Sequence, residues 1–311
     1  MDFRYGNYPT MITPYKADGS VDYEMVEKYV DWYADNGCDG IFAICQSSEI
    51  FYLTLEEKVK INSLVYKRAK EIEKRLGKPF TIVSSGHTSD SVEGQIEELN
   101  AIVKSGTDAL IFITNRFAKE DESDDVWIKN AETVLKSLPK DVCLGLYECP
   151  YPYKRLVTEK VLNWCKSTGR FYFMKDTCCN AQEIEKRLKI LEGSSFALLN
   201  ANCQTLLASI RAGGKGYCGI MSNFHPRLYG WLCRNPYHEK AELVQAVLGS
   251  LGFTESGLPY PLSAKYSMTL CGNETTNYAR NRKSEDLTDY GRDCVKQMKL
   301  LTDTLEKELG L

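Results

Sequence analysis

Residues Phe171–Cys179 read FYFMKDTCC. Phe171, Tyr172, Phe173 and Met174 form a short apolar, aromatic run with the character of a buried strand. The run stops at Lys175, which Asp176 and Thr177 follow. A lysine at the carboxyl end of a buried strand sets its methylene stem in an apolar wall and its amine at the rim of a pocket. Desolvation disfavours the ammonium form, so such an amine is a usable nucleophile toward a carbonyl. A surface lysine that merely opens the next loop is the competing reading, and the rest of the chain bears on the choice.

The stretches on either side repeat one pattern. Upstream, Val142–Tyr147 reads as a strand ending in Tyr147-Glu148-Cys149-Pro150, and Thr158–Ser167 as a helix stopped by Gly169. Downstream come a helix over Ala181–Leu191, a strand over Phe196–Asn200, a helix over Gln204–Ala212 and a strand over Tyr217–Met221. Gly213-Gly214-Lys215-Gly216 precedes that last strand rather than following one, so it reads as a tight turn and not as a phosphate loop.

Toward the amino terminus the expected strands are Tyr8–Thr13, Gly40–Ile44, Phe80–Val83 and Ala109–Ile113. The helices between them are Asp22–Asn36, one from an N-cap at Thr54 to about Leu76, Ser91–Ser105 and Val126–Leu138. Thr54 with Glu57 three residues on is a capping box. Regular β/α alternation implies parallel strands joined by right-handed crossovers. Eight such strands before position 226 fit a closed (β/α)8 TIM barrel better than an open sheet. The expected division is a barrel over residues 1–225 and a helical extension packed on it over residues 226–311. The extension's expected helices are Glu239–Leu251, Leu262–Cys271 and Asp286–Glu308.

Bulk properties narrow the function. Hydrophobic residues make up 43% and charged residues 26% of 311, ordinary values for an enzyme-sized globular chain. A net charge of -3 argues against a nucleic-acid or anionic-membrane partner. No apolar run approaches the ~18 residues of a membrane span, and MDFRYGNYPT lacks the layout of a signal peptide. The 12 cysteines contain no C-x-x-C pair, and the 3 histidines show no metal-ligand spacing. The thiols therefore read as small buried hydrophobes in a reducing cytoplasm, with no metal site expected.

In a barrel of this class the active site forms where the strands end. Tyr147 and Lys175 end consecutive strands, and neighbouring parallel strands lie ~4.8 Å apart, so phenol and amine can converge on one small ligand. A lysine that makes a Schiff base needs a nearby acid/base group for the carbinolamine, and a tyrosine hydroxyl serves. A core tyrosine satisfied by backbone is the alternative. The loop Gln46-Ser47-Ser48 offers side-chain and backbone donors for a carboxylate. Asn200–Asn202 and Cys218–Ser222 follow two further strands. Arg116, Lys154 and Arg155 are candidates for a distal carboxylate or are solvated loop cations. His87 reads as a satisfied loop histidine, and Glu148 as pointing away from the ligand toward loop backbone.

Four segments then resemble the dihydrodipicolinate synthase / N-acetylneuraminate lyase family of class I aldolases. YPTMITPYKADGSVD is similar to the family's opening strand and turn. CQSSEIFYLTLEEK stands where the family has GTTGE, with Glu49 and Leu53 in place. LYECPYPY keeps Tyr147 and Pro150 of a YN-x-P motif, and FMKDT puts Lys175 on the Schiff-base lysine. The resemblance implies a barrel that handles pyruvate or another 2-oxo acid, as a homo-oligomer, dimer or tetramer, usually a homotetramer. It implies no cofactor beyond the covalent imine on Lys175.

The resemblance also implies roles for single residues: Lys175 and Tyr147 as catalytic residues, with Ser47 and neighbouring N–H groups on the carboxylate. The full expected binding set is Gln46, Ser47, Ser48, Cys218, Arg155 and Asn200. The departures are specific. Phe117 stands where synthases place a second, relaying tyrosine, and phenylalanine cannot relay a proton. Pro152 stands at the synthases' arginine, with Lys154 or Arg155 as the nearest substitutes. Asn200-Ala201-Asn202 replaces a Gly-Asp-Asp-like segment. Three readings stay open on these residues: a pyruvate-type aldolase or lyase, a sugar-acid dehydratase using the same imine, and a non-catalytic barrel that binds a 2-oxo acid.

Overall fold

The structure, a computed structural model, describes residue 3 and residues 5–311. Its strands are β1 Gly6–Asn7, β2 Gly40–Phe42, β3 Thr81–Ser84, β4 Ala109–Ile113, β5 Leu144–Tyr147, β6 Phe171–Asp176, β7 Ala197–Asn200 and β8 Gly216–Tyr217. Its helices are α1 Tyr23–Asp35, α2 Leu55–Leu76, α3 Val92–Ser105, α4 Asp124–Lys136, α5 Glu159–Ser167, α6 Ala181–Leu191, α7 Leu206–Arg211, α8 Pro226–Arg234, α9 Ala241–Ser256, α10 Leu262–Leu270 and α11 Asp289–Leu309. All strand pairs are parallel, in the order β1-β8-β7-β6-β5-β4-β3-β2. A parallel bridge between Thr10 and Phe42 closes the circle. The result is the expected (β/α)8 barrel, with further helices toward the C-terminus.

Local chemistry sets the element ends. Thr54 caps α2 as predicted: its hydroxyl accepts from Glu57 N–H at 3.2 Å, and the Glu57 carboxylate accepts from Thr54 N–H at 3.0 Å. The Ser91 and Thr158 hydroxyls cap α3 and α5 by accepting from Gly94 N–H and Val161 N–H. The first strand differs from the expected Tyr8–Thr13. Pro9 has no N–H to give, so the chain changes neighbours there. Tyr8 N–H donates to Tyr217 on one side, whereas Met11 N–H donates to Phe42 on the other. The last strand is also shorter than Tyr217–Met221, because Ile220–Asn223 curl into a 3-10 turn at the barrel mouth.

The lumen below that mouth is aromatic. The Phe42 ring lies 5.4 Å from Tyr147 and 6.2 Å from Phe173, and Phe3 lies 5.2 Å from Phe173. A second apolar layer lies between strands and outer helices, with Phe112, Trp127, Leu146, Met174 and Leu198 buried in it. Side-chain alternation along β6 separates the two layers: Phe173 and Lys175 face inward, Met174 outward. Closure is tight at Gly216, whose φ is +141° and where an added Cβ would lie 1.9 Å from the Gly6 carbonyl oxygen. Gly216→Ala is expected to cost roughly 1–3 kcal/mol or more. Urea unfolding checks this; an unchanged midpoint would show that β8 and β1 part freely.

Candidate active site

Tyr147 and Lys175 are Cα partners in the β5–β6 ladder. Their side chains enter the lumen side by side, and the Lys175 Nζ lies 4.2 Å from the centre of the Tyr147 ring and 5.7 Å from that of Phe42. Both residues are nearly sealed from bulk solvent, Tyr147 3% and Lys175 4% exposed. The Tyr147 hydroxyl donates to Gln46 Oε1 at 3.4 Å, and the Cys149 thiol shares that acceptor at 3.3 Å. Burial, reinforced by Cys149 and Cys45, holds the Tyr147 phenol well above its ordinary range. It is therefore a neutral donor near pH 7.

The residues beyond these two hold them from behind. Glu148 and Asp176 point outward and meet one guanidinium, that of Arg187 on α6. Arg187 lies 2.9 Å from the Glu148 carboxylate and pairs directly with Asp176, all three side chains being essentially buried. Burial and the neighbouring Asp176 push the Glu148 carboxyl up, and Arg187 pulls it down. Glu148 also accepts from Val157 N–H at 2.7 Å and Thr177 N–H at 2.8 Å, the loop-backbone role expected from its place beside Tyr147. The two strand ends are thus tied together on the side opposite the amine.

A cavity of about 840 Å³ opens above Lys175. Gln46, Ser47, Tyr147 and Lys175 line it together. Ser47 Oγ donates to Thr10 Oγ1 at 3.0 Å, and the Tyr260 hydroxyl accepts from Asn223 Nδ2 at 3.1 Å. Four expected binding residues do not line the cavity. The Ser48 hydroxyl is turned into the wall, 2.7 Å from the Met11 carbonyl and 2.8 Å from that of Ala43. Asn200 Nδ2 is spent on Thr205 at 2.9 Å and Ser209 at 3.1 Å. The Arg155 guanidinium is locked to Asp124 at 2.9 Å and to the Glu122 carbonyl at 3.0 Å. Cys218 is fully buried; burial pushes its thiol up to about 12 against the opposing effect of Lys175.

The other weighed residues fall on both sides of this division. Lys154 lines the cavity and donates to the Thr177 carbonyl. Arg116 is paired with Asp90 at 2.9 Å. His87 accepts from Ile113 N–H at 2.7 Å, and burial lowers its pKa to about 3, so it stays neutral. Phe117 is packed edge-on to Trp127 at 5.3 Å and is 1% exposed. Among the described residues no group of three or more His, Cys, Asp or Glu is placed to hold a metal ion.

Much of the cavity wall comes from the C-terminal helices, where sequence reading placed no site residue. Glu255 in the last turn of α9, Tyr260, Asn281 and Arg282 all line it. The link is Glu49, in left-handed backbone at φ 60° after β2. Its carboxylate accepts from Arg280 N–H at 2.7 Å and Asn281 N–H at 3.1 Å, and pairs with the buried Lys265 at 3.3 Å. Burial brings Lys265 down to about 8, against the pull of Glu49. The α2 capping residue Glu57 adds a bidentate pair to Arg280, both contacts at 2.7 Å. Two carboxylates, Glu49 in the loop after β2 and the helix-capping Glu57, thus bring the extension over the barrel mouth.

Burial pushes Glu255 up to about 8, partly offset by its hydrogen bond from Ser263. A carboxyl raised in the folded state contributes its stability fully below the unfolded value, and that contribution is lost as pH rises through the folded value. Glu255→Gln is therefore expected to flatten the fall in stability between the ordinary value of 4.5 and about 8. Denaturant midpoints across that window measure it; parallel curves for the two proteins would contradict the expectation.

The dihydrodipicolinate synthetase family matches residues 5–289. The 4-hydroxy-tetrahydrodipicolinate synthase of Anaplasma marginale is 23% identical over 309 residues, covering 98% of this chain and 97% of its own. That of Bartonella bacilliformis is 26% identical over 273 residues, covering 86% of this chain and 88% of its own. In structure, a catalytic-lysine mutant of the sialic acid aldolase of Ruminococcus gnavus superposes with a TM-score of 0.85 at 15% identity, over 98% of this chain and 97% of that one. A dihydrodipicolinate synthase of Bacillus anthracis gives 0.82 at 18% identity, over 96% and 98%. These structures share the fold. With the family match spanning nearly the whole barrel, the chain belongs to the dihydrodipicolinate synthetase family and is an enzyme of the class I aldolase and lyase type.

Proposed function

We propose that this chain is a Schiff-base lyase that acts on pyruvate or a related 2-oxo acid and joins it to, or cleaves it from, an aldehyde. The observation that carries the reading is the in-register pair Tyr147 and Lys175, with the amine 4.2 Å from the phenol ring at the floor of a cavity. The Lys175 amine attacks the C2 carbonyl. The Tyr147 hydroxyl supplies the proton with which the carbinolamine oxygen leaves as water, and the imine forms. The Tyr147 phenolate left by that step takes back a proton from C3, giving the enamine, the nucleophile of the carbon–carbon bond. Ser47 and the N–H groups of its turn hold the substrate carboxylate, as a short loop of donors after a strand does.

The relatives named as synthases and the aldolase with its catalytic lysine support this class of chemistry. No cofactor is needed, because the imine itself is the electron sink. We further propose a cytoplasmic homo-oligomer, a dimer or tetramer. Borohydride reduction in the presence of pyruvate, followed by mass spectrometry, is expected to label Lys175. No adduct with any of several 2-oxo acids would overturn the reading. Product analysis separates carbon–carbon cleavage from dehydration of a sugar acid.

Lysine-pathway synthase activity is expected to be poor. Phe117 is a buried packing residue with no proton to pass, and Pro152 has no guanidinium. Robust turnover of pyruvate with aspartate semialdehyde would contradict this.

A further inference from the structure

The proton route that starts at Tyr147 ends after one step. Its hydroxyl donates to Gln46 Oε1, and an amide oxygen does not release a proton onward. A carbon–carbon lyase still has a proton to place, that of the hydroxyl on the carbon being cleaved. The cavity holds one carboxyl, Glu255, 2% exposed. Four carboxylic residues are buried in the described chain, and three of them are paired with a cation. Glu148 and Asp176 meet Arg187, and Glu49 meets Lys265. Glu255 has no ion pair among the described residues. Its Oε1 accepts from Ser263 Oγ at 3.2 Å, and Oε2 has no hydrogen bond among the described residues. An unpaired buried carboxyl costs stability, and packing alone gives no return for it.

We propose that Glu255 is the acid/base that serves the electrophile, a catalytic residue supplied by the C-terminal extension. This rests on the imine chemistry proposed for Lys175. In cleavage the Glu255 carboxylate takes the proton of the substrate hydroxyl. The carbon–carbon bond breaks, its electron pair passes into the imine to give the enamine, and the hydroxyl oxygen becomes the aldehyde carbonyl. In condensation the steps reverse, and neutral Glu255 protonates the aldehyde oxygen as the bond forms. No oxidant, reductant or further reactant enters.

The groups around Glu255 leave its titration distinct. Cys203 approaches from the loop after β7, and Tyr260 from the turn before α10; burial raises both above their ordinary ranges. Lys154 and Arg282 stand on the cavity wall, and Lys175 is engaged as the imine. With Glu255 near 8, condensation is expected to slow as pH rises through that value, because the acid form is lost, and cleavage to speed up.

The test is Glu255→Gln in the full chain, which keeps the size and the acceptor for Ser263. Condensation is measured with pyruvate and, in turn, glycolaldehyde, D-glyceraldehyde and D-erythrose. Glu255→Gln is expected to lower kcat on the order of 10²- to 10⁴-fold and to erase the limb near pH 8. Borohydride labelling of Lys175 by pyruvate is expected to persist, and Glu255→Asp to recover part of kcat. A Glu255→Gln enzyme within a few-fold of the parent, or one that keeps the limb, overturns the proposal. So does a parent that is labelled by pyruvate but condenses no aldehyde. Failure of the parent to be labelled at all instead removes the Lys175 chemistry itself.

Discussion

Lys175→Ala is expected to abolish turnover and to leave the barrel standing. Under the proposed chemistry, the side chain that disappears is the covalent partner of the substrate, seated beside Tyr147. Orientation and covalent activation together account for a factor on the order of 10⁵ or more, so residual activity is expected to fall below detection. Stability is expected to change little, because Nζ lies against the faces of Tyr147 and Phe42 and makes no ion pair among the described residues. Lys175→Arg puts a guanidinium against the rings and is expected to be equally dead, since a guanidinium does not form the imine. Steady-state assay, borohydride labelling and a melting curve on the same preparations decide the matter. Turnover by Lys175→Ala within about a hundredfold of the parent would transfer the chemistry to another residue.

Arg187→Met is the second large effect, and it acts on stability first. One guanidinium on α6 neutralises Glu148 and Asp176, both fully buried at the ends of β5 and β6. Its removal strands two carboxyl groups in an apolar layer. Breaking a buried pair in this way costs about 3–5 kcal/mol. Urea unfolding measures it, and a loss under about 1 kcal/mol would class the cluster with surface ion pairs. A catalytic consequence is expected as well. Tyr147 and Lys175 are the immediate neighbours of the two acids along their strands, so slack at Glu148 and Asp176 reaches the phenol and the amine. In the folded Arg187→Met protein kcat is expected to fall more than labelling of Lys175 by pyruvate, because imine formation tolerates a displaced phenol better than proton transfer does.

The site residues differ in how visible they are along the chain. Lys175 and Tyr147 are legible because each closes an apolar run, and because their spacing is one β/α unit, which in a parallel sheet makes them neighbours. Gln46 and Ser47 are legible as the loop after another run. Ser48, Asn200, Arg155 and Cys218 satisfy the same local criterion, yet they face the wall or outer elements. Which way a loop side chain turns is settled by the hydrogen-bond partners it meets, and those partners are distant. Ser48 finds the carbonyl of Met11, and Arg155 finds Asp124 on α4.

The order and kind of most elements were determined by the sequence alone: apolar runs at a strand period, amphipathic stretches at a helical period, and the Thr54 cap. These are local signals, and local backbone preference with one-sided burial suffices to express them. Only the tertiary structure decided that Glu255 and Tyr260 border the cavity over Lys175, although they lie far along the chain from it. No periodicity or spacing links such residues. They meet because the Glu49 and Glu57 carboxylates fasten the loop around Arg280 across the barrel mouth, and long-range pairing of that kind is written in three dimensions.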